Sequence, residues 1–255
     1  MKRTRTVPFV THDAPELSAA VLAGGLGTRL RSVVSDLPKS LAPVNGQPYL
    51  AYLLDRLGRA GLDHVVLCVG YMAEKVRATF GDVYGGMRLS YSVEPRPLDT
   101  GGALRRALPL LDSRDVLVMN GDSFFESSLG DFAIWHFAHR STASLLLAQV
   151  PDASRYGTVQ VDGDGRVLAF REKTRPEAPG WINAGIYLLN REVLATIPRA
   201  RPVSLEREIF PTLVGRGLRA CHGRGRFIDI GTPESYARAR VFFAGTASRA
   251  QGVLP

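Results

Sequence analysis

Along residues 47–62, QPYLAYLLDRLGRAGL, the leucines Leu50, Leu53, Leu54 and Leu57 recur at three- and four-residue steps, the signature of a helix with one apolar face. Pro48 suits its first turn and Gly61 its end. Residues 64–69, HVVLCV, form an unbroken apolar run of strand length, the kind a parallel sheet buries on both faces. The rhythm continues with a helix predicted over 72–80, a strand over 88–93, a helix over 101–107 and a strand over 115–119, after an opening apolar run at 19–23. Strands alternating with helices predict a doubly wound α/β fold: an open, mostly parallel, Rossmann-like sheet with helices on both faces. Ligands of such sheets bind at the carboxyl ends of the strands.

The second half changes rhythm. TASLLLAQV, GTVQV, RVLAFREK and WINAGIYLLN read as strands, with DGDG joining the second to the third as a hairpin. Helical stretches are predicted over 191–196 and 205–214, and a short strand over 227–230. GTPESYARARVFFA reads as a closing helix with Thr232 as N-cap and Pro233 at its first position. No repeat or low-complexity linker divides the chain. It is therefore read as an N-terminal extension (1–17), one domain (18–245) carrying a small antiparallel insertion, and a C-terminal tail (246–255).

Composition narrows the choice of partner. The 255 residues are 45% hydrophobic, enough for a sizeable core, and carry a formal net charge of +8. The arginines are dispersed and no lysine-rich run is interleaved with aromatics, so an anionic small molecule is expected and no nucleic acid. Two isolated cysteines, Cys68 and Cys221, exclude a disulfide framework or a cysteine metal cluster. His136 and His139 lie one helical step apart without a third ligand nearby and are read as structural. The basic N-terminus is broken by Pro8, His12, Asp13 and Pro15, and no run approaches the roughly 20 apolar residues of a membrane helix. The expectation is a cytoplasmic protein with no membrane partner.

One stretch carries chemistry. Gly24, Gly25 and Gly27 follow the opening strand, with Arg29 close behind and Lys39 ten positions later. A dinucleotide fingerprint would need glycine where Leu30 stands, and a Walker A loop would need glycine before the lysine, where Pro38 stands. Two readings stay open: a turn whose backbone amides approach phosphates flanked by two cations, or a glycine-rich strand end with two solvated side chains.

The segment VLAGGLGTRLRSVVSDLPKSLAPVNGQP resembles the signature of the sugar-1-phosphate nucleotidyltransferases, and the similarity continues at EPRPLDTGGAL, VMNGDSFF, FREK, INAGIYLL, SLEREIFP and FIDIGTPESY, over roughly residues 18–243. Within that family NGDSFF, SLEREIFP and FIDIGTPE are most similar to guanylyltransferases acting on D-glycero-α-D-manno-heptose 1-phosphate. Mannose-1-phosphate guanylyltransferases and N-acetylmuramate-1-phosphate uridylyltransferases look nearly as close, and glucose-1-phosphate thymidylyltransferases share the pattern. The resemblance implies a nucleotide-diphospho-sugar transferase fold. It also implies an NTP (GTP favoured) and a sugar 1-phosphate as partners, Mg²⁺ as cofactor, and room for a homodimer.

Carried over by position, the resemblance assigns Arg29, Lys39, Asp122 and Lys173 to catalysis. Leu22, Ala23, Gly24, Gly25, Gly27 and Thr28, with Asp99, Thr100 and Gly101, would contact the nucleotide alongside Arg29, Lys39 and Asp122. Gly157, Glu172, Lys173 and Asn183 would take the sugar phosphate, and Asp122 and Asp229 the metal. Each has a plainer alternative: a strand-ending turn for the aspartates, a surface ion pair for Glu172 and Lys173, a bulge or turn for Asn183 and Gly157. Asp99 departs from the family, standing in PLDT where glycine is usual, and an aspartate tolerates a left-handed backbone better than most residues. A non-catalytic sugar-nucleotide sensor on the same fold would be expected to have lost some of Arg29, Lys39, Asp122, Lys173 and Asp229, and all five are present.

Overall fold

The computed structural model describes residues 17–171, 178–199 and 201–244. Its centre is β1 (Ser18–Leu22), the opening apolar run. After a short ribbon, β2 (Pro43–Val44) and β3 (Gln47–Pro48), the first helix α1 (Tyr49–Arg59) leads into β4 (His64–Val69). Then come α2 (Ala73–Phe80), β5 (Val83–Tyr84), β6 (Met87–Val93), α3 (Asp99–Ala107) and β7 (Asp115–Asn120). β1 lies between β4 and β7, parallel to both, with Ala20 opposite Val66 on one side and Val118 on the other. β6 is parallel to β4 on its far edge.

Successive strand residues face opposite sides, so one strand feeds two cores. Ala19, Val21, Val65 and Leu67 pack under α1. Its Leu50, Leu53, Leu54 and Leu57 are all 0% exposed, and full burial stabilises by about 1.5–3 kcal/mol per leucine. Ala20, Val66, Val116 and Val118 face the other way, onto Ala103, Leu104 and Ala107 of α3.

The second half extends this sheet. β8 (Ser123–Phe125) and α4 (Leu129–Ala138) precede β9 (Ala143–Val150), β10 (Thr158–Val161), β11 (Val167–Arg171) and β12 (Gly180–Asn190). β12 runs antiparallel to β7 over residues 186–190, and β10 takes the same edge further on, with Thr158 opposite Ile182. β9 pairs with the other edge of β12. Between the reach of β7 and that of β10, residues 183–185 bulge: the register with β9 shifts between Asn183 and Tyr187, and Gly185 takes φ +73°. A cleft opens there. α5 (Arg191–Thr196), α6 (Phe210–Leu213), β13 (Leu218–His222), β14 (Phe227–Asp229) and α7 (Pro233–Phe242) complete the described chain.

Several elements differ from the sequence reading. α3 opens at Asp99, two residues early, and residues 205–209 form a wide π turn before α6, where Pro211 has no amide to donate. β13, parallel to β9, escaped prediction because its run LRACH buries only Leu218 and Ala220. β2, β3, β5 and β8 are too short for a two-residue period to register. The histidines are structural. His136 is buried, with Nδ1 2.7 Å from Ser144 Oγ, and His139 stacks on Trp135 at 4.2 Å. No described helix is long and apolar enough to cross a membrane.

Candidate functional site

The glycines of the turn have separate tasks. A Cβ on Gly24 would stand 2.3 Å from Glu94 Oε1 and 3.3 Å from the Gly70 amide nitrogen, so any larger residue there must push the Glu94 carboxylate aside. Gly25 is exposed, with nothing within 4 Å of its Cβ position. Gly27 takes φ +59° and caps a single 3₁₀ turn, Thr28–Leu30, in which Leu30 is buried and Thr28 and Arg29 are exposed. A Cβ on Gly27 would lie 3.1 Å from Lys39 Cβ, so the turn rests on the lysine.

Lys39 in turn reaches across the sheet. Its Nζ donates to Asp122 Oδ2 at 2.8 Å, with the lysine side chain 13% exposed and the aspartate 46%. Asp122 is placed by Gly121, whose amide donates to Leu22 O at 2.9 Å. Asp229 arrives from the far end of the chain: β14 pairs with β8, setting Asp229 opposite Ser123, and the Ile230 amide donates to Asp122 O at 2.8 Å. Residues 107 positions apart thus occupy adjacent rungs.

The Asp229 carboxylate is held by its surroundings. Tyr156 donates to Oδ2, while Oδ1 accepts from the Gly231 amide at 2.7 Å and from Ser235 Oγ at 3.1 Å. Burial pushes its pKa up, but these donors and nearby Arg155 outweigh that and leave it below the ordinary carboxylate value. Ser235 and Thr232 also form the capping box of α7, so one helix end both starts the helix and orients the aspartate. Arg29 completes the rim, with Nη2 3.8 Å from the Cβ position of Gly231. The cleft has a volume of about 360 Å³, and Arg29, Asn120, Asp122, Tyr156, Asn183 and Asp229 are among the residues that line it.

Among the described residues no three His, Cys, Asp or Glu side chains form a metal cluster. Two carboxylates facing one cleft suit a hard divalent cation that completes its shell with substrate oxygens and water. Zinc, which favours three or four nitrogen or sulfur ligands, finds no such set there.

A second group, Asp99 to Gly101, is not among the residues that line this cleft. Asp99 takes φ +59°, the left-handed backbone at which glycine is free of strain. Its Oδ1 accepts from the Thr100 amide at 2.8 Å and its Oδ2 from Arg207 at 2.6 Å. The Gly101 amide is committed to Val203 O at 2.8 Å, and a Cβ there would approach that oxygen to 3.0 Å. Gly157 precedes β10, its Cβ position 3.1 Å from Arg171 O. Glu172 and Lys173 lie outside the described residues, just after the end of β11. Leu22 and Ala23 end β1, with the Ala23 amide donating to Cys68 O at 2.8 Å.

Sequence reasoning missed Glu94, Arg155, Tyr156, Glu206 and Arg207. The motifs EPRPLDT, RYGTV and SLEREIFP contain them, but no local spacing sets them apart from surface charge.

Among proteins of known activity, the chain is 37% identical to D-glycero-α-D-manno-heptose 1-phosphate guanylyltransferase of Campylobacter jejuni over 220 residues, which is 86% of this chain and 97% of that one. It is 36% identical to the Aneurinibacillus thermoaerophilus enzyme of the same name, with 88% and 97% covered. Mannose-1-phosphate guanylyltransferase of Mycobacterium tuberculosis is 36% identical over 94% of this chain, which spans 66% of that relative's length. Crystal structures of HddC from Yersinia pseudotuberculosis superpose with TM-scores of 0.79 and, complexed with GMP-PN, 0.77, at 30% and 31% identity; each comparison covers 89% of this chain and 99% of the other. The nucleotidyl transferase family model matches residues 18–245. With that match running over most of its length, the chain belongs to the nucleotidyl transferase family.

Proposed function

We propose that the protein transfers GMP from GTP to D-glycero-α-D-manno-heptose 1-phosphate, giving the GDP-sugar and pyrophosphate. The observation that carries this reading is the 2.8 Å contact between Lys39, on which the glycine turn rests, and Asp122, whose backbone is bonded to the strand of Asp229. It supports reading the glycine turn as the phosphate-binding side of a site whose cleft is lined by the carboxylates of Asp122 and Asp229. The likeness to two heptose 1-phosphate guanylyltransferases, of which the chain spans 97%, supports the choice of sugar and base.

In this reading an oxygen of the sugar phosphate attacks the α-phosphorus of GTP. The bond from that phosphorus to the oxygen bridging to the β-phosphorus breaks, and pyrophosphate leaves with the oxygen. The nucleophile is an anion already, so the protein removes no proton. Its work is to bring two repelling polyanions together and to neutralise the charge that builds up on the leaving group. Backbone amides of Gly24, Gly25, Gly27 and Thr28 face the triphosphate, and Arg29 and Lys39 take its β- and γ-phosphates. Asp99, Thr100 and Gly101 border the base and ribose, while Gly157, Glu172, Lys173 and Asn183 take the sugar phosphate. Asp122 and Asp229 would hold Mg²⁺, which when bound offsets negative charge on the phosphates.

A second acceptor, mannose 1-phosphate, is favoured by the 36% identity to the Mycobacterium tuberculosis enzyme. Pyrophosphate release measured with Mg²⁺, each of four NTPs and a panel of heptose, mannose, glucose and N-acetylated sugar 1-phosphates separates the two. GTP with the heptose is expected to react fastest, and the absence of any reacting pair refutes the enzyme reading.

A further inference from the structure

A continuous chain of hydrogen bonds crosses behind the cleft from the base side to the sugar side. Thr100 Oγ1 donates to Glu206 Oε2 at 2.8 Å, and Ser204 Oγ donates to the same oxygen at 3.1 Å. Tyr187 donates to Glu206 Oε1 at 3.0 Å and accepts from Asn183 Nδ2 at 2.9 Å. The direction of each bond is forced. The Gly185 amide donates to Asn183 Oδ1 at 2.9 Å, which turns the Asn183 NH₂ toward Tyr187. The single proton of Tyr187 is then left for Glu206. Likewise Thr100 Oγ1 accepts from the Leu205 amide at 2.8 Å, so its own proton also goes to Glu206. Tyr187 is fully buried, and burial together with the neighbouring Glu206 holds its phenol well above the ordinary value, so it remains a donor.

Three donors converging on two oxygens require an acceptor at both, which a carboxylate supplies and an amide does not. The flanking residues reinforce the base side alone. Val203 O accepts from the Gly101 and Gly102 amides at 2.8 and 3.1 Å, and Arg207 pairs with Asp99 at 2.6 Å. Within this segment the link onward to Tyr187 and Asn183 runs through Glu206. We propose that Glu206 is a positioning residue, one carboxylate that fixes Thr100 beside the nucleotide and, through Tyr187, Asn183 beside the sugar, so that the two substrate subsites are set relative to each other. This rests on the transferase reading for the identity of the two subsites.

The test compares Tyr187→Phe, Glu206→Gln and the double variant in steady-state kinetics with GTP and the accepted sugar 1-phosphate. Tyr187→Phe removes the phenol that meets Glu206, Asn183 and Asn120 while leaving Thr100 and Ser204 on the carboxylate, so KM for the sugar 1-phosphate is expected to rise about tenfold with KM for GTP changed less than about twofold. Glu206→Gln leaves an unmatched donor whichever way its amide turns and is expected to raise both KM values, by about fivefold or more. The double variant should bind the sugar phosphate no worse than Glu206→Gln alone, because both changes break one chain. Equal effects of Tyr187→Phe on both KM values, no effect on either, or multiplying effects in the double variant would overturn the proposal. If the wild-type protein turns over no sugar 1-phosphate, the transferase reading fails separately. The strut is then judged by thermal unfolding of Thr100→Val, Tyr187→Phe and their combination: non-additive shifts support it and additive shifts overturn it.

Discussion

Replacing Gly121 by alanine isolates the geometry that brings Asp122 to the glycine turn. The added Cβ would stand 2.6 Å from Leu22 O, 3.1 Å from Leu22 C and 3.2 Å from Ala23 Cα. The first contact is about 0.8 Å short of the 3.4 Å at which ordinary packing begins. All three are backbone atoms, so no rotamer relieves the clash. β1 is pinned between β4 and β7, so the displacement falls on residues 120–122, and the 2.9 Å bond from the Gly121 amide to Leu22 O weakens with it. Overpacking costs about 1–3 kcal/mol and a weakened hydrogen bond adds up to about 1 kcal/mol. The stiffer unfolded chain returns about 0.4–1 kcal/mol. A net loss of about 2 kcal/mol lowers Tm by about 4–8 °C in a chain of this size. Activity should suffer more, because a displacement on the order of 1 Å in the Lys39–Asp122 region costs about a hundredfold in rate. Calorimetric Tm and pyrophosphate release under saturating substrates measure both. A Tm within about 1 °C of wild type and turnover within about threefold would refute the reasoning.

Other substitutions probe separate links. Gly25→Ala meets open space, so Tm should stay within about 2 °C while KM for GTP rises, and an unchanged KM would remove its amide from the triphosphate site. Asp122→Asn should lose most turnover while its circular-dichroism melt stays cooperative, and near-normal turnover would sink the metal assignment. Asp99→Gly relieves a left-handed backbone worth about 1 kcal/mol but gives up the bond from the Thr100 amide and one to an arginine that is 78% exposed, the latter a pair worth about 0–1 kcal/mol, so stability should move by less than about 1 kcal/mol in a urea melt. Because the folded pKa of Asp229 lies below its unfolded value near 3.8, its contribution is present above that pH and lost as pH falls through the lower folded value. Tyr156→Phe removes one of the lowering donors and moves the folded pKa back toward the unfolded value, so less stability is lost on acidification and the acid limb of Tm against pH should flatten, and an unchanged limb would show that Tyr156 does not stabilise the charged form.

Much of the architecture was legible from local pattern. The leucines of α1, the apolar run of β4, the DGDG hairpin and the Thr232–Pro233 start of α7 reflect steric and capping preferences that act within a few residues, and they appear where the spacing predicts them. Asp99 adopts the left-handed backbone that its place in PLDT required. The very short strands and β13 were not legible, because two or three residues carry too little period and their pairing is decided by neighbours distant in the chain. Within the cleft, Arg29, Asp122, Asn183 and Asp229 were marked by motif, whereas Tyr156 was not, nor was Glu206 outside its lining: a tyrosine and a glutamate look alike in sequence whether they bond to water or to a buried partner.

The amino-acid sequence by itself determined which segments bury a face, where helices begin and end, and which residue types are chemically able to meet phosphate, sugar and metal. Those properties follow from backbone sterics, solvent and side-chain chemistry acting locally. Only the tertiary structure decided that Lys39 reaches Asp122, that Asp229 lies one rung away, and that Glu206 joins Thr100 to Tyr187. These contacts span 83 to 107 positions for the first two and 106 positions for Thr100 with Glu206. They exist because strand order and register, set by the packing of two cores against one sheet, bring distant strand ends to the same edge.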